Sequence, residues 1–265
     1  MIVDYHVHTY LCGHARGSLS ELVLSAIEKG FSEIGIADHM PLTYTDDRTL
    51  SMAFEDLPFY VEQVLKLKEE FKGRIKVKLG IEADYEPRTF DKIKDMIDSF
   101  PFDYVIGSVH VIDDWIFDDP RFLERYDEIN LAEFYAKYFD LSFEMVETGA
   151  YDILAHADLP KKFGKIPDID LTPYYRKLLS VVRKMKMSYE VNTAGLRWPV
   201  REIYPASEFV RIASDMRIPV TLGSDSHCPE DVGKDFEKAI FLIRKYGYKE
   251  IATYEGRKMK IVPLG

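Results

Sequence analysis

Seven histidines are the residues of this sequence best suited to chemistry, and they lie in short motifs spread along its length. Two motifs place potential ligands one residue apart: His6-Val7-His8 and Asp225-Ser226-His227. In an extended chain, residues i and i+2 point to the same side, so each pair can face one ion. With a carboxylate in the segment LGIE, the candidate ligands are His6, His8, His14, His39, Glu82, His110, His156, Asp225 and His227.

Clustered neutral imidazoles beside carboxylates are typical of divalent metal sites. A single histidine at a strand end is more often a polar core group or a surface residue, but here all seven follow the same pattern. Nine ligands are too many for one ion and fit two or three, with one carboxylate bridging. Nitrogen and oxygen ligands suit zinc, manganese or iron alike. Paired ions of this kind activate water and clamp the oxygens of an in-line phosphoryl displacement.

The candidate ligands follow apolar, β-branched segments that we interpret as strands. Since parallel barrel strands end on one face, residues far apart in sequence meet there. The predicted strands are 2–6, 33–37, 75–82, 104–109, 152–155, 188–192 and 220–224. One helix begins after Ser18, where Ser18 and Glu21 form a capping-box pattern. The other predicted helices are 55–71, 89–99, 131–148, 173–186, 206–216 and 233–246.

Seven strands that alternate with helices predict an α/β fold with a parallel sheet. No glycine-rich nucleotide fingerprint follows the first strand, and chemically active side chains recur after almost every strand. Both observations favour a (β/α)7 TIM-like barrel, with the metal site at the C-terminal ends of the strands, over an open doubly wound sheet. No linker rich in Pro, Gly or Ser divides the chain, so residues 1–265 are predicted to form a single domain. The long segment 111–130 is a candidate active-site loop.

Composition narrows the classes of partner. The formal net charge is −10, and no block of basic residues appears, so binding to nucleic acid is not favoured. No apolar segment approaches the roughly 20 residues of a membrane span, and no signal-peptide pattern is visible, so we expect a cytoplasmic protein. Cys12 and Cys228 are expected to be reduced thiols. The sequence makes no prediction of oligomeric state.

The order of these motifs resembles that of the polymerase-and-histidinol-phosphatase (PHP) superfamily. The matching segments are D-x-H-x-H at 4–8, ADH at 37–39, GIE at 80–82, GSVH at 107–110, HAD at 156–158 and SDSH at 224–227. The resemblance implies a distorted seven-unit barrel with a trinuclear centre. It assigns one ion to His6, His8, Glu82 and Asp225. A second ion would share Glu82 and add His110 and His156, and a third would have His14, His39 and His227.

Within the superfamily, the segments 156–164 and 189–205 are most similar to the histidinol-phosphate phosphatase branch. That branch implies hydrolysis of L-histidinol phosphate to L-histidinol and phosphate in histidine biosynthesis. Glu82 and Asp225 would then be catalytic, acting through a metal-bound hydroxide. The alternatives are a phosphoesterase acting on phosphotyrosine protein, a nucleotide or single-stranded DNA, and a metal-binding module without catalysis.

Some residues near these motifs are candidates for other roles. Arg197 follows the sixth strand, and its planar guanidinium suits phosphate binding, with a surface ion pair as the alternative. Arg16 is a second candidate for phosphate, followed by Lys161 and Lys162. Three acids next to ligand histidines would orient the imidazole rings or form loop hydrogen bonds: Asp4, Asp38 and Asp158.

Overall fold

A ring of parallel strands forms the centre of the computed structural model, which describes residues 2–265. The strands are β1 (Val3–Asp4), β2 (Glu33–Ile36), β3 (Lys76–Leu79), β4 (Glu82–Asp84), β5 (Ile106–Ser108), β6 (Val111–Ile112), β7 (Trp115–Ile116), β8 (Ile153–Leu154), β9 (Ser188–Asn192), β10 (Val220–Gly223), β11 (Glu250–Glu255) and β12 (Lys258–Pro263). The helices are α1 (Leu19–Glu28), α2 (Leu57–Glu70), α3 (Phe90–Ser99), α4 (Leu131–Glu147), α5 (Thr172–Lys184), α6 (Ser207–Asp215) and α7 (Phe236–Lys245).

The ring has seven positions, as the sequence predicts. One parallel sheet has the order β1-β2-β3 and the other the order β10-β9-β8-β5-β4. A parallel bridge between Val7 and Ser226 joins β1 to β10. At the other junction, the Glu82 backbone N–H donates to the carbonyl of Asp38 at 3.0 Å. The predicted strand 75–82 is therefore two short strands in succession, β3 paired with β2 and β4 paired with β5. The α/β TIM-like barrel is confirmed.

Glycines let an aromatic side chain cross the inside of the ring. A Cβ atom added at Gly35 would lie 1.9 Å from the hydroxyl oxygen of Tyr104, and one at Gly80 would lie 2.3 Å from its Cζ. The Tyr104 hydroxyl donates to the carbonyl of Tyr5 at 2.7 Å. The ring is packed with side chains at this level, so the cluster of histidines lies at one end of a solid core.

The helices surround the ring and bury one apolar face each. In α1 the Ser18 hydroxyl accepts from the Glu21 backbone N–H, and the Glu21 carboxylate accepts from the Ser18 N–H at 2.7 Å, which confirms the predicted capping box. The apolar residues Leu22, Val23 and Ala26 of this helix are buried. Across the described chain, no helix combines the length and the apolar character that a membrane crossing requires.

Two regions are more regular than the sequence suggests. The predicted loop 111–130 contains the antiparallel hairpin β6–β7 and a 3-10 helix, Pro120–Asp127. After α7, the chain forms a second antiparallel hairpin, β11–β12, which the sequence did not predict. In this hairpin the Tyr254 N–H donates to the Tyr5 hydroxyl at 3.0 Å, and the Arg257 N–H donates to the Asp103 carbonyl at 2.8 Å. Asp103 precedes β5, so the hairpin covers the end of the ring opposite the histidines.

Candidate metal centre

Glu82 lies at the middle of the histidine cluster, at the start of β4, and is almost completely buried. Its two oxygens face different imidazole rings. The distances from ring nitrogen to carboxylate oxygen are 3.3 Å for His6, 3.6 Å for His8, 2.9 Å for His39, 3.7 Å for His110 and 3.2 Å for His156. One carboxylate shared among rings from four strand ends has the geometry expected of a bridging ligand.

Asp225 faces the same group from the end of β10. Its Oδ1 lies 3.2 Å from His8 Nε2 and 4.0 Å from His6 Nε2. The backbone of Asp225 has a φ of +52°, in the left-handed region that Asp and Asn occupy more readily than other non-glycine residues. The ligand atoms of His6, His8 and Asp225 lie within 4.8 Å of one another, so the two predicted pairs with i, i+2 spacing do meet.

His14 and His227 form a second group with His39. The His14 ring stacks on that of His227 at a centroid distance of 4.6 Å, and His8, His39 and His227 have ring nitrogens within 4.8 Å of one another. His14 Nδ1 lies 2.9 Å from the carbonyl of Thr49, so it carries the hydrogen and Nε2 is left as the free lone pair. All nine candidate ligands thus converge on one region.

Carboxylates hold several of these rings in place. Glu190 lies 2.9 Å from His6 Nδ1, Asp84 lies 2.7 Å from His110 Nδ1, and Asp38 lies 3.3 Å from His8 Nδ1. A carboxylate on one ring nitrogen fixes the tautomer and directs the other nitrogen toward the centre. Of the three acids, the sequence predicted only Asp38.

The other two predicted acids bind elsewhere. Asp4 accepts from the backbone N–H groups of Ser224 and Gly233 at 2.9 and 2.8 Å, so it ties β1 to the end of β10. Asp158 accepts from the backbone of Ala206 at 2.7 Å and lies 3.0 Å from Lys161 Nζ. Both acids make the loop hydrogen bonds that were the alternative to orienting an imidazole ring.

Electrostatics at the centre favour an ionised carboxylate and neutral outer rings. Burial opposes the charge of Glu82, but His6, His39 and His110 outweigh it and hold its pKa well below the usual range. Burial, followed by the neighbouring His39 and His8, lowers the pKa of His14 to about 4. The pKa of His227 is lowered by burial and by His8. Neutral imidazole and ionised carboxylate are the forms that bind metal, so Glu82, His14 and His227 are already in that form. Against the opposing effect of burial, Asp84 raises the pKa of His110 to about 10, so an ion would have to displace the proton of this ring.

The buried atoms of the cluster fit metal ions. Among residues 2–265, five of its buried polar atoms have no hydrogen-bond partner of acceptable geometry: His6 Nε2, His8 Nε2, Glu82 Oε2, His156 Nδ1 and His227 Nε2. Leaving a buried polar atom unpaired costs about 1–3 kcal/mol, so such a group needs a common partner. His6 Nε2 and His8 Nε2 lie 3.3 and 3.6 Å from Glu82 Oε2, so at these three atoms a divalent cation is the partner that fits.

A cavity of about 790 Å³ opens above the cluster. Asp118, Pro120 and Arg121 of the segment 111–130 line it, as expected of an active-site loop. Arg197 lines it too: its Nη2 donates to the carbonyl of Ser224 at 2.7 Å, while its buried Nη1 has no partner among the described residues.

The other predicted basic residues fall in different places. Lys162 lines the cavity and lies 3.1 Å from the Asp118 carboxylate. Lys161 is buried against Asp158 instead. Arg16 is not among the residues that line the cavity, and its side chain is 75% exposed, 3.6 Å from Glu230. The structure therefore does not bring Arg16 to the cavity, because its loop turns the guanidinium toward solvent.

Known proteins are similar to this chain over most of its length. A "Probable histidinol-phosphatase" of Deinococcus radiodurans is 40% identical over 260 residues, 98% of each chain, and a histidinol-phosphatase of Bacillus subtilis is 29% identical over 261 residues, 88% of this chain and 96% of its own. The crystal structure of histidinol phosphate phosphatase from Lactococcus lactis, complexed with zinc, L-histidinol and phosphate, covers 98% of both chains with a TM-score of 0.82 and 27% identity.

A family comparison agrees with these relatives. The PHP domain matches residues 4–194, well over half of the sequence and seven of the nine candidate ligands. The resemblance predicted from the histidine motifs is thereby confirmed, and the chain belongs to the PHP domain family.

Proposed function

We propose that this chain is a metal-dependent phosphomonoesterase that hydrolyses L-histidinol phosphate to L-histidinol and phosphate, a step of histidine biosynthesis. The observation that carries the proposal is the convergence of seven histidines and two carboxylates below an open cavity. Relatives that match nearly the full length are named histidinol-phosphatases, and one of them has been crystallised with zinc, L-histidinol and phosphate.

We further infer that two to three divalent ions bind in the cluster. Glu82 and Asp225 would hold the first ion with His6 and His8. A second ion would lie between Glu82, His110 and His156, and a third between His14, His39 and His227. Bound ions of this kind lower the pKa of water and neutralise charge on phosphoryl oxygens. Zinc is supported by the solved relative, while manganese and iron suit the same donor atoms.

Arg197 would bind the phosphate. Its Nη2 and Nε are held by the Ser224 carbonyl and by Asp231 at 3.4 Å, so the guanidinium is fixed before substrate arrives. The free Nη1 is then the donor available to a phosphoryl oxygen. A donor that is already oriented loses little entropy when the ester binds.

Asp118 would face the organic half of the substrate. Burial opposes its charge, but Lys162 and His110 lower its pKa, so it is an anion in the cavity wall. An ionised carboxylate is the group expected to pair with the ammonium or imidazolium of histidinol.

The chain would act as one domain in this role. The relatives cover it almost from end to end, which supports the prediction that residues 1–265 are a single unit. The cytoplasmic location stays a prediction.

One comparative assay tests the proposal. Bound metal is counted, and kcat/KM is measured with histidinol phosphate, p-nitrophenyl phosphate, a phosphotyrosine peptide and single-stranded DNA. We expect histidinol phosphate to be preferred by at least about 100-fold, or roughly 2.7 kcal/mol of transition-state binding. A preference for another ester would leave the metal chemistry intact and replace the substrate. Bound metal without turnover of any ester would indicate a binding module.

A further inference from the structure

Tyr204 has a buried hydroxyl that no described residue satisfies. Its side chain is 1% exposed, and among residues 2–265 its hydroxyl has no hydrogen-bond partner. Tyrosine hydroxyls usually find a partner when they are buried, since an unpaired one costs about 1–3 kcal/mol. The residue lines the cavity above the candidate metal centre. A ligand bound in the cavity could therefore be the hydrogen-bond partner of the Tyr204 hydroxyl.

The ring of Tyr204 is fixed from several sides. Its backbone makes a two-way bridge with Asn192 at the end of β9, with N–O distances of 2.7 and 2.9 Å. Lys161 Nζ lies 5.5 Å from the ring centroid. The ring also packs on Gly195, where an added Cβ would lie 3.0 Å from Tyr204 Cζ. Such packing holds the hydroxyl in one place.

Tyr204 lines the cavity together with His156 and Asp225 of the candidate metal centre. Burial raises the pKa of Tyr204 well above its usual value, followed by the charges of Asp158, Asp225 and Asp118, so the phenol lies near acids of the centre and of the cavity wall. The Tyr204 ring also lies edge-on to that of His156, at a centroid distance of 6.3 Å.

Tyr204 and Arg197 share one wall of the site. The carbon that bears the Tyr204 hydroxyl packs on Gly195, two residues before Arg197 in the turn Ala194–Arg197. Both side chains end in a buried donor without a partner: Tyr204 Oη and Arg197 Nη1. A neutral phenol can donate a hydrogen bond, so its O–H can bind a phosphoryl oxygen that also contacts the Arg197 guanidinium.

We propose that the Tyr204 hydroxyl binds the substrate directly, donating a hydrogen bond to a phosphoryl oxygen beside Arg197. The role rests on the proposed phosphatase function and assigns to that site a second protein donor for the phosphate. Arg197 supplies the charge, and Tyr204 supplies a rigid neutral donor that fixes the orientation of the group.

The test is Tyr204→Phe in the metal-loaded protein, which deletes only the hydroxyl. We expect kcat/KM to fall about 10- to 100-fold, the range for one hydrogen bond to a charged group. The inhibition constant of inorganic phosphate should rise by about 10-fold, while that of L-histidinol changes less than twofold and bound metal per chain stays the same. Tyr175→Phe, which removes a buried phenol hydroxyl on α5 outside the cavity lining, is the matched control and should match wild type.

Three results would overturn the assignment. Unchanged kcat/KM and phosphate inhibition would mean that the hydroxyl touches no phosphate. A rise confined to the histidinol constant would place it on the organic half, and loss of metal would make it a structural residue. If histidinol phosphate proves not to be the substrate, the role of Tyr204 can still be tested. The measurement of phosphate inhibition requires only that the wild-type protein binds inorganic phosphate.

Discussion

Glu190 contacts two candidate ligands and a neighbouring amide at once. Its carboxylate lies 2.9 Å from His6 Nδ1, accepts from the His156 backbone N–H at 2.8 Å and accepts from the Asn192 side chain at 2.9 Å. It therefore couples the orientation of two candidate ligands on opposite sides of the ring. A buried acid in the middle of the strand SYEVN is itself a signal, because a buried charge requires partners.

Glu190→Gln should weaken metal binding. The amide keeps the shape but is a poorer acceptor for the His6 N–H, and loss of such a supporting carboxylate costs about 10- to 100-fold in metal affinity. Zinc affinity is measured by competition with a chromophoric chelator, and activity should recover at excess zinc. Glu250→Gln, at an exposed position on β11, is the control. Equal zinc affinity in the two variants would contradict the role of Glu190.

Arg197→Ala should chiefly weaken phosphate binding. The change removes the free Nη1 donor, and we expect the inhibition constant of inorganic phosphate to rise about 10- to 100-fold. Arg16→Ala is the control, since this side chain lies outside the cavity lining. Steady-state inhibition by phosphate distinguishes the two variants. If both behave as wild type, Arg197 is a structural ion pair with Asp231.

The candidate site could be predicted from sequence where its residues follow strand ends. Strand order alone predicts that these residues meet at one face of a barrel, so all nine candidate ligands could be identified from the sequence. Their role as metal ligands stays a prediction. Asp84 ends β4, two residues past the predicted strand 75–82, and Glu190 lies inside β9, so neither follows the pattern of the ligands, and their histidine partners are known only once the barrel closes. The direction of Arg16 depends on its loop, which strand order does not determine.

At the scale of elements, the division between β3 and β4 places Glu82. β3 pairs with β2, and after Gly80 and Ile81 the chain continues as β4, which pairs with β5 instead. Tyr104 lies against Gly80 at this point. The change of pairing partner brings the Glu82 carboxylate into the barrel, where it contacts imidazole rings that follow both neighbouring strands.

Gly80→Ala should destabilise the fold. The added methyl group would lie 2.3 Å from Tyr104 Cζ, and overpacking of this kind costs about 1–3 kcal/mol. The free energy of unfolding in urea measures it. Combining the change with Tyr104→Leu should cost less than the sum of the two single variants, because the smaller side chain makes room. Strict additivity would contradict the steric cause.

The sequence did not predict the hairpins β6–β7 and β11–β12, because their turns and strands lack the usual sequence signals. The turn of β6–β7 has Asp113 and Asp114 at φ values of +51° and +59°, a conformation for which Asn-Gly or Asp-Gly is the usual signal. In β11–β12 the turn is Gly256-Arg257, again with positive φ at both residues, and β12 carries lysines on its exposed face, so its sequence does not show the pattern of a buried strand. The seven ring strands were readable because parallel strands are buried on both faces and are rich in apolar residues.

On the scale of the whole molecule, the two ends of the barrel have different tasks. The histidine cluster occupies the C-terminal end of the ring, and the hairpin β11–β12 closes the other. Arg257 of the hairpin contacts the Asp152 carboxylate, which burial makes costly to ionise, and donates to the Ala150 carbonyl at 2.6 Å. Stability and chemistry can therefore be altered separately.

Arg257→Met should lower stability and leave catalysis intact. Removing the guanidinium leaves Asp152 buried without its cation, at a cost of about 1–3 kcal/mol for this partly exposed pair. Lys260→Met, which breaks an exposed pair with Glu255 in the same hairpin, should cost less than about 0.5 kcal/mol. Urea unfolding gives both values. A loss of kcat/KM in Arg257→Met well below the melting temperature would contradict the separation.

Removal of metal from the histidine cluster should lower the melting temperature of the protein. Ions that bind only the folded chain add about 2.7 kcal/mol at 100 times their Kd, or roughly 5–11 °C in Tm for a chain of this size. Circular dichroism before and after chelation measures the change, and added zinc should reverse it. An unchanged Tm with complete metal release would show that the centre does not brace the ring.

The bridge between Val7 and Ser226 has a consequence for how the protein is made. It sets the first and last parts of the centre side by side, so His6 and His8 leave the ribosome long before Asp225 and His227 exist. A nascent chain can offer an ion only a partial, unsupported set of imidazoles. Filling of the full centre is therefore an event that follows synthesis, and a cell short of metal would accumulate finished but empty chains.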